Sequence, residues 1–432
     1  MRKKLPIDKI TEPASKFIHQ EHTSGIVLFI GVLAAITWVN SPFAHSYHQL
    51  WDTKVSLGFG NHALNHPLHL WINDGLMAVF FFVIGLELKR EFMAGELSTI
   101  KKASLPMVAA LGGMIVPALI YFFINKGTAS EHGWGIPMAT DIAFALALLS
   151  IAGKHIPSSV KVFLSALAVA DDLGAVLVIA IFYSSHIDFA PLTIGVCLLT
   201  ILLVGNKLGI RSIIFYLVVG FAVWVAFLLS GVHATIAGVL VAFTIPARTR
   251  INEKNYAESL RKLLFAFEEQ IPNNSTLTTP EQHLTIEKIK KMTTDAETPL
   301  QKVEYGLHPW VAFVVMPLFA LANAGIVIGA DFFSSLLNPV SLGVMIGLVA
   351  GKFIGVLSAT WLMVKFGARL PANSTWKQIT GVALLAGVGF TMSLFISGLA
   401  FTHAQMVDQA KYGILLASLL AGVLGVIVLK KS

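Results

Sequence analysis

Asp171 and Asp172 stand side by side in SALAVADDLGAVLVIA (165–180), within a run of 21 residues from Val162 to Phe182 that holds no other charge. A helix through that run would be about 31 Å long, the thickness of a bilayer's hydrocarbon. The two carboxylates would then lie at its midplane. A charge at a helix centre costs about 2.5–3.5 kcal/mol even on the lenient insertion scale, so the pair costs about 5–7 kcal/mol. Stability alone would select neither aspartate.

Few other ionisable residues lie deep in apolar sequence: Asp141 in PMATDIAFAL, Lys352 in GLVAGKFIGV and, less deeply, Asp74 and Glu87. Lys352 sits in a glycine ladder, Gly343, Gly347, Gly351 and Gly355, whose four-residue spacing puts all four on one helix face and lets another backbone come close. An ammonium held there must meet a carboxylate or give up its proton. Adjacent helical residues point about 100° apart, so one aspartate can meet Lys352 while the other looks into a cavity. A hard alkali cation such as sodium wants several oxygen ligands, which a carboxylate, a threonine hydroxyl, backbone carbonyls and water supply. Burial and a like charge next door favour the protonated carboxyl. Such a site holds a proton or a metal ion, one at a time, and alternate exposure to the two faces turns that competition into exchange without covalent chemistry.

The elements that must position these groups are membrane helices. Of the 432 residues, 55% are hydrophobic and only 13% charged, with mean hydropathy +0.74, which excludes an ordinary soluble domain. Twelve spans are expected, near 24–40, 68–88, 103–124, 134–151, 158–184, 189–206, 211–229, 232–246, 308–329, 338–363, 377–399 and 405–429. The fold class is therefore an all-α polytopic membrane protein. Of the 31 Lys and Arg, 27 fall on one alternate set of connections, only Lys54, Lys126 and Lys411 on the other, and Lys352 within a span. That asymmetry puts both termini in the cytoplasm and explains the formal charge of +7 without nucleic acid. The expected division is an N-terminal segment 1–23, a transporter domain 24–429 and a C-terminal 430–432. No apolar core with a small-residue cleavage site marks residues 1–23 as a signal peptide. The one cysteine, Cys197, has no disulfide partner and reads as a packed or lipid-facing residue.

Two connections exceed a turn. Residues 45–66, with Gly58, Gly60 and Asn61, suit an external hairpin. The polar segment 247–307 carries Tyr256, Leu260, Leu263, Leu264 and Phe267 at helical spacing, read as an interfacial helix rather than a separate domain. Two spans are weakened at mid-membrane. Gly133, Gly135 and Pro137 precede Thr140–Asp141, and Gly381, Gly387 and Gly389 precede Thr391. These are signs of helices broken inside the bilayer, tolerated where the freed backbone faces protein or a wet cavity.

The pieces IGLELKRE, PMATDIAFAL, LAVADDLGAV, SGVHATIAG, LHPWVAFVVMPLFALANAG, GLVAGKFIG and GVGFTMSLFISGLAF occur in that order over nearly the whole chain. They resemble the NhaA family of bacterial sodium/proton antiporters. The resemblance implies electrogenic, pH-regulated exchange of cytoplasmic Na+ or Li+ for external H+ across the inner membrane, with no cofactor, and a homodimer to which the hairpin contributes. It implies an inverted repeat of spans 3–5 and 10–12, with spans 4 and 11 discontinuous and crossing at Thr140 and Asp141. By the same resemblance Asp171 and Asp172 are the paired aspartates and hold the transported Na+ together with Thr140, Asp172 as the more direct cation ligand and Asp171 also as partner of Lys352. Asp141 would offset the half-helix N-termini and Lys352 the opposing C-termini.

Glu87, Glu304 and His308 match an internal cluster that senses pH and gates activity, whereas Arg90 and Glu91 read as ordinary interfacial charges. His233 matches a family position near the start of span 8 but suits a hydrogen-bonded packing role as well as pH sensing. His62, His66 and His69 gather externally without completing a metal site. The chain departs from the pattern at Tyr305, where some relatives are expected to have histidine, and in the length of 247–307. Both place the pH response in question. Neither HExxH nor GxSxG occurs, and the GxGD of intramembrane aspartyl proteases is absent, so an enzyme is not expected. A sodium-coupled organic-anion symporter of related fold is the alternative. It would be expected to use neutral amides and carbonyls at the crossing, which the Asp–Asp–Lys set does not match.

Overall fold

The computed structural model describes residues 21–57, 64–153, 155–184, 187–269, 277–329 and 332–432. The expected N-terminal segment up to residue 20, the hairpin tip with Gly58, Gly60, Asn61 and His62, and Lys154 lie outside them.

Among the described residues, eight helices are long and apolar enough to cross a bilayer, and eleven if each of three bent helix pairs is one span. The uninterrupted ones are Leu68–Ala94, Ile100–Asn125, Ser158–Phe182, Phe189–Lys207, Ile213–Ser230, Pro299–Asn323, Pro339–Lys365 and Ala404–Lys430. The bent pairs are Thr23–Val39 with Ala44–Asp52 (114°), Glu131–Met138 with Ile142–Ala152 (40°), and Trp376–Leu385 with Phe390–Ala400 (41°). The remaining sequence-derived segment, the expected eighth span, is the 11-residue helix Ala234–Thr244, about 16 Å long. Twelve is therefore not reached by length and composition alone.

Both expected breaks are present. The chain order helix, broken helix, helix occurs twice, as Ile100–Asn125, 131–152 and Ser158–Phe182, then as Pro339–Lys365, 376–400 and Ala404–Lys430. Each break has a local cause. Glu131–Met138 winds as a tight 3-10 helix that stops at Ala139, which is extended, and Pro137, which has no N–H to carry the ladder on, stands just before the stop. Gly387 and Gly389 close the other break, because a Cβ at Gly387 would lie 2.4 Å from the Leu348 carbonyl and one at Gly389 would lie 2.9 Å from the Ala139 carbonyl.

The glycine ladder turns toward Ile100–Asn125. A Cβ on Gly355 would stand 2.1 Å from the Gly112 carbonyl, one on Gly351 2.8 Å from Pro117 Cα, one on Gly347 2.7 Å from Pro137 Cβ and one on Gly343 2.8 Å from the Tyr121 ring. Close backbone approach replaces large side chains there, as small-residue interfaces do in membranes. The sequence did not indicate a widened π turn at Gly347–Gly351, directly before Lys352, nor those at Trp71–Leu76 and Val311–Val315. Such turns collect at functional sites.

A two-stranded hairpin pairs Lys54–Leu57 with Leu64–Pro67, where the external hairpin is expected. At the other end of the bundle, 247–307 forms a helical hairpin of Glu253–Glu268 and Pro280–Ala296. Tyr256, Leu260, Leu263 and Phe267 are half-buried, and Tyr256 Oη lies 3.2 Å from Thr293 Oγ1 on the second helix. Leu264 departs from that stripe and is 48% exposed. The base of the hairpin is fixed by Arg211, whose Nη1 and Nη2 donate to the Arg248 and Glu297 carbonyls at 2.9 and 2.7 Å.

Candidate functional site

Asp141 is held by the two broken helices at once. Its Oδ1 accepts the Phe144 amide at 3.1 Å and so caps Ile142–Ala152. Its Oδ2 accepts the Thr391 amide at 3.1 Å and the Thr391 hydroxyl, at the start of Phe390–Ala400. One carboxylate thus answers the exposed N–H groups of two half-helices and the positive end of each dipole. The crossing is drawn tighter by the Asp141 amide, which donates to the Val388 carbonyl at 2.7 Å. This is the placement expected for Asp141.

The opposing C-terminal carbonyls take their hydrogen bonds from hydroxyls. Ser393 Oγ donates to the Ile136 carbonyl at 2.9 Å, and Thr140 Oγ1 lies 2.8 Å from the Ala386 carbonyl. Lys352, expected to offset those ends, donates instead to Asp171 Oδ2. Ser393 was not singled out in the sequence. Its signal was a hydroxyl two residues beyond Thr391 in the stretch that follows the glycine break.

Thr140 Oγ1 also lies 2.7 Å from Asp171 Oδ2. A hydroxyl has a single proton, so Thr140 donates to Asp171 or to the Ala386 carbonyl, one at a time, and keeps lone pairs free for a cation. Asp171 therefore has two partners on Oδ2 and none on Oδ1 among the described residues. Asp172 is buried with neither carboxylate oxygen partnered among the described residues. The helix turn between them accounts for the difference: Asp171 meets the lysine, and Asp172 points elsewhere. Asp171, Asp172, Asp141, Thr140 and Lys352 are all at most 1% exposed, so the five expected residues converge on one buried place.

A second polar cluster lies at the far end of Leu68–Ala94 from the β-hairpin. Arg90 Nε donates to Glu304 Oε1 at 2.8 Å, its Nη1 meets Glu91 Oε1 at 2.9 Å, and its Nη2 stands 4.0 Å from Glu87 Oε1. Arg90 is the hub and Glu91 a full member, a centrality that sequence spacing hid because Glu304 is 214 residues away. Glu304 is buried, with Oε2 unpartnered among the described residues. His308 lies one turn further along the Glu304 helix, and Tyr305 faces outward at 62% exposure.

His233 Nε2 lies 2.8 Å from the Tyr183 carbonyl, a satisfied contact of the packing kind. His69 Nδ1 lies 3.2 Å from the Trp51 carbonyl and 3.7 Å from Asp52, and His66 packs on Trp71. No three metal-binding side chains gather among the described residues. Cys197 is exposed on its apolar helix.

A family profile described as Na+/H+ antiporter 1 matches residues 15–429. The Na(+)/H(+) antiporter NhaA of Oleidesulfovibrio alaskensis is 49% identical over 419 residues, covering 96% of this chain and 93% of its own. The Na(+)/H(+) antiporter NhaA 2 of Syntrophotalea carbinolica is 45% identical over 98% of this chain and 97% of its own. The Na(+)/H(+) antiporter NhaA of Koribacter versatilis is 45% identical over 99% of this chain and 93% of its own.

Proposed function

Because this chain belongs to the Na+/H+ antiporter 1 family, we propose that it exchanges cytoplasmic sodium or lithium for external protons. Competition of the two ions for the buried aspartates, Asp172 above all, couples their movements. The observation that carries this reading is the buried Asp172, whose two oxygens have no hydrogen-bond partner among the described residues. A carboxylate so placed needs a proton or a cation to offset its desolvation. Thr140, directed at Asp171 and the Ala386 carbonyl, supplies a neutral oxygen to the same buried cluster, and Lys352 balances Asp171.

The cycle runs as follows. With the site open to the cytoplasm, sodium displaces the proton from Asp172. Rearrangement about the crossing of 131–152 and 376–400 exposes the site to the opposite face, where a proton displaces sodium. A second proton, held on the Asp171–Lys352 pair and taken up and released together with the one on Asp172, makes more protons than cations move per turnover, so that the exchange is electrogenic and the inner-membrane proton gradient drives it. The cluster of Arg90, Glu87, Glu91, Glu304 and His308 sets the pH at which the cycle runs, from the cytoplasmic side where both termini lie. The functional unit is a homodimer with the β-hairpin at its contact. The close tie between Asp171 and Lys352 favours this reading over a sodium-coupled symporter with neutral ligands.

Everted vesicles carrying the chain and an acid lumen reported by a fluorescent dye provide the test. Addition of sodium or lithium releases lumenal protons and restores fluorescence with the native chain, and Asp172→Asn abolishes the response. A response that survives Asp172→Asn unchanged would falsify the site.

A further inference from the structure

The first half of the broken span, Glu131–Met138, leads within two residues to Thr140. Whatever holds this short helix therefore sets where the Thr140 hydroxyl stands against Asp171. Tyr183, the residue that closes the aspartate helix Ser158–Phe182, grips it with both faces of its hydroxyl. The phenol donates to the His132 carbonyl at 2.7 Å and accepts the Gly135 amide at 3.2 Å. Room for this contact exists because residue 135 has no side chain: a Cβ there would sit 2.7 Å from the phenol oxygen. Trp134 lies beside the same ring, 6.3 Å between centroids. The Tyr183 carbonyl is in turn met by His233 at the head of Ala234–Thr244.

Among the described residues, hydrogen bonds join the aspartate helix to the broken span at two places, the distal one flanked by the ring contact of Trp134 with Phe182 at 5.1 Å. One is Thr140 to Asp171 at mid-membrane, and the other is Tyr183 to His132 and Gly135, eleven residues and about 17 Å along the helix from Asp172. We infer that Tyr183 is a positioning residue for ion binding: its hydroxyl makes Glu131–Met138 and the aspartate helix one body, so that Thr140 meets the cation at a fixed geometry. With the distal tether cut, the short helix pivots about its remaining contacts. The Thr140 oxygen is then shared among several positions, and sodium affinity falls while the fold and the rate of a loaded carrier persist. Errors well under an ångström matter at a site built for one small ion.

This inference rests on the exchange reading, and the experiment separates the two. Sodium-dependent proton release is measured over a range of sodium concentration for the native chain, Tyr183→Phe, Gly135→Ala and the double variant, together with melting temperature in detergent. Tyr183→Phe keeps the ring and removes the hydroxyl. Gly135→Ala pushes the hydroxyl aside and serves also should the first variant fold poorly. Each is expected to raise the KM for sodium by about threefold or more, with Vmax and melting temperature near native. The double variant should equal either single one, because both cut one tether. A part in packing alone would lower melting temperature and Vmax together and leave KM in place, and that result overturns the assignment. So does a double variant whose effects multiply. A native chain silent to sodium defeats the exchange reading and this inference with it, whereas an active native chain with unchanged KM in the variants overturns only this inference.

Discussion

Lys352 donates to Asp171 Oδ2 while Asp172, the next residue, has no hydrogen-bond partner on either carboxylate oxygen among the described residues. Two neighbours of the same type are thereby given different work. Asp171 is tied into the structure by a lysine and a threonine, and Asp172 is left without such a tie among the described residues, as the proposed exchange requires.

The pair makes Lys352→Ala costly. Removing one partner strands the Asp171 charge in a fully buried place, a loss of about 3–5 kcal/mol in comparable buried pairs. Melting temperature in detergent should fall well below native. Asp171→Asn combined with Lys352→Met removes both charges and should recover most of the loss without restoring exchange. A single Lys352→Ala variant that melts like the native chain would contradict the pairing.

Asp172→Asn should behave in the opposite sense. No partner is stranded, and a buried carboxylate is replaced by a neutral amide, so thermal stability stays at native level or rises. Sodium-dependent stabilisation of the native chain should vanish at the same time, since an ion that binds only the folded state stabilises it by mass action. Retention of that stabilisation in the variant would move the cation elsewhere.

Asp141 answers to both half-helices, so Asp141→Ala removes an N-cap worth about 0.5–2 kcal/mol. It also leaves the buried Thr391 amide and hydroxyl unpaired, each at about 1–3 kcal/mol. Asp141→Asn keeps an acceptor oxygen and should lose clearly less. Equal thermal stability of the two variants would show that the caps are not what holds the crossing.

The glycine contact can be tested apart from any charge. Gly355→Ala would put a Cβ 2.1 Å from the Gly112 carbonyl, so Ile100–Asn125 and Pro339–Lys365 must part. Overpacking of this kind costs about 1–3 kcal/mol. Gly398→Ala, on an exposed helix face with no heavy atom within 4 Å of the new Cβ, is the control and should be neutral or slightly stabilising. Similar melting temperatures for the two would rule out the close crossing.

The sequence determined much of this protein by itself, because apolar length, lysine and arginine asymmetry, glycine spacing and isolated charges are local or one-dimensional signals. Spans, both breaks and the five buried residues Thr140, Asp141, Asp171, Asp172 and Lys352 were legible for that reason. A charge in hydrocarbon is too costly to be incidental, which is why these positions stand out in the sequence. Tertiary structure decided what depends on contacts between distant segments. It put Lys352 and Thr140 on the same oxygen of Asp171, the aspartate that the resemblance already pairs with the lysine, handed the C-terminal carbonyls to Thr140 and Ser393, made Arg90 the centre of its cluster, and set Tyr183 against Gly135. Helical periodicity gives the direction of each residue on its own helix, but the rotation and depth of one helix against another follow from packing between them, and hydrogen bonds over 2.5–3 Å are settled only there.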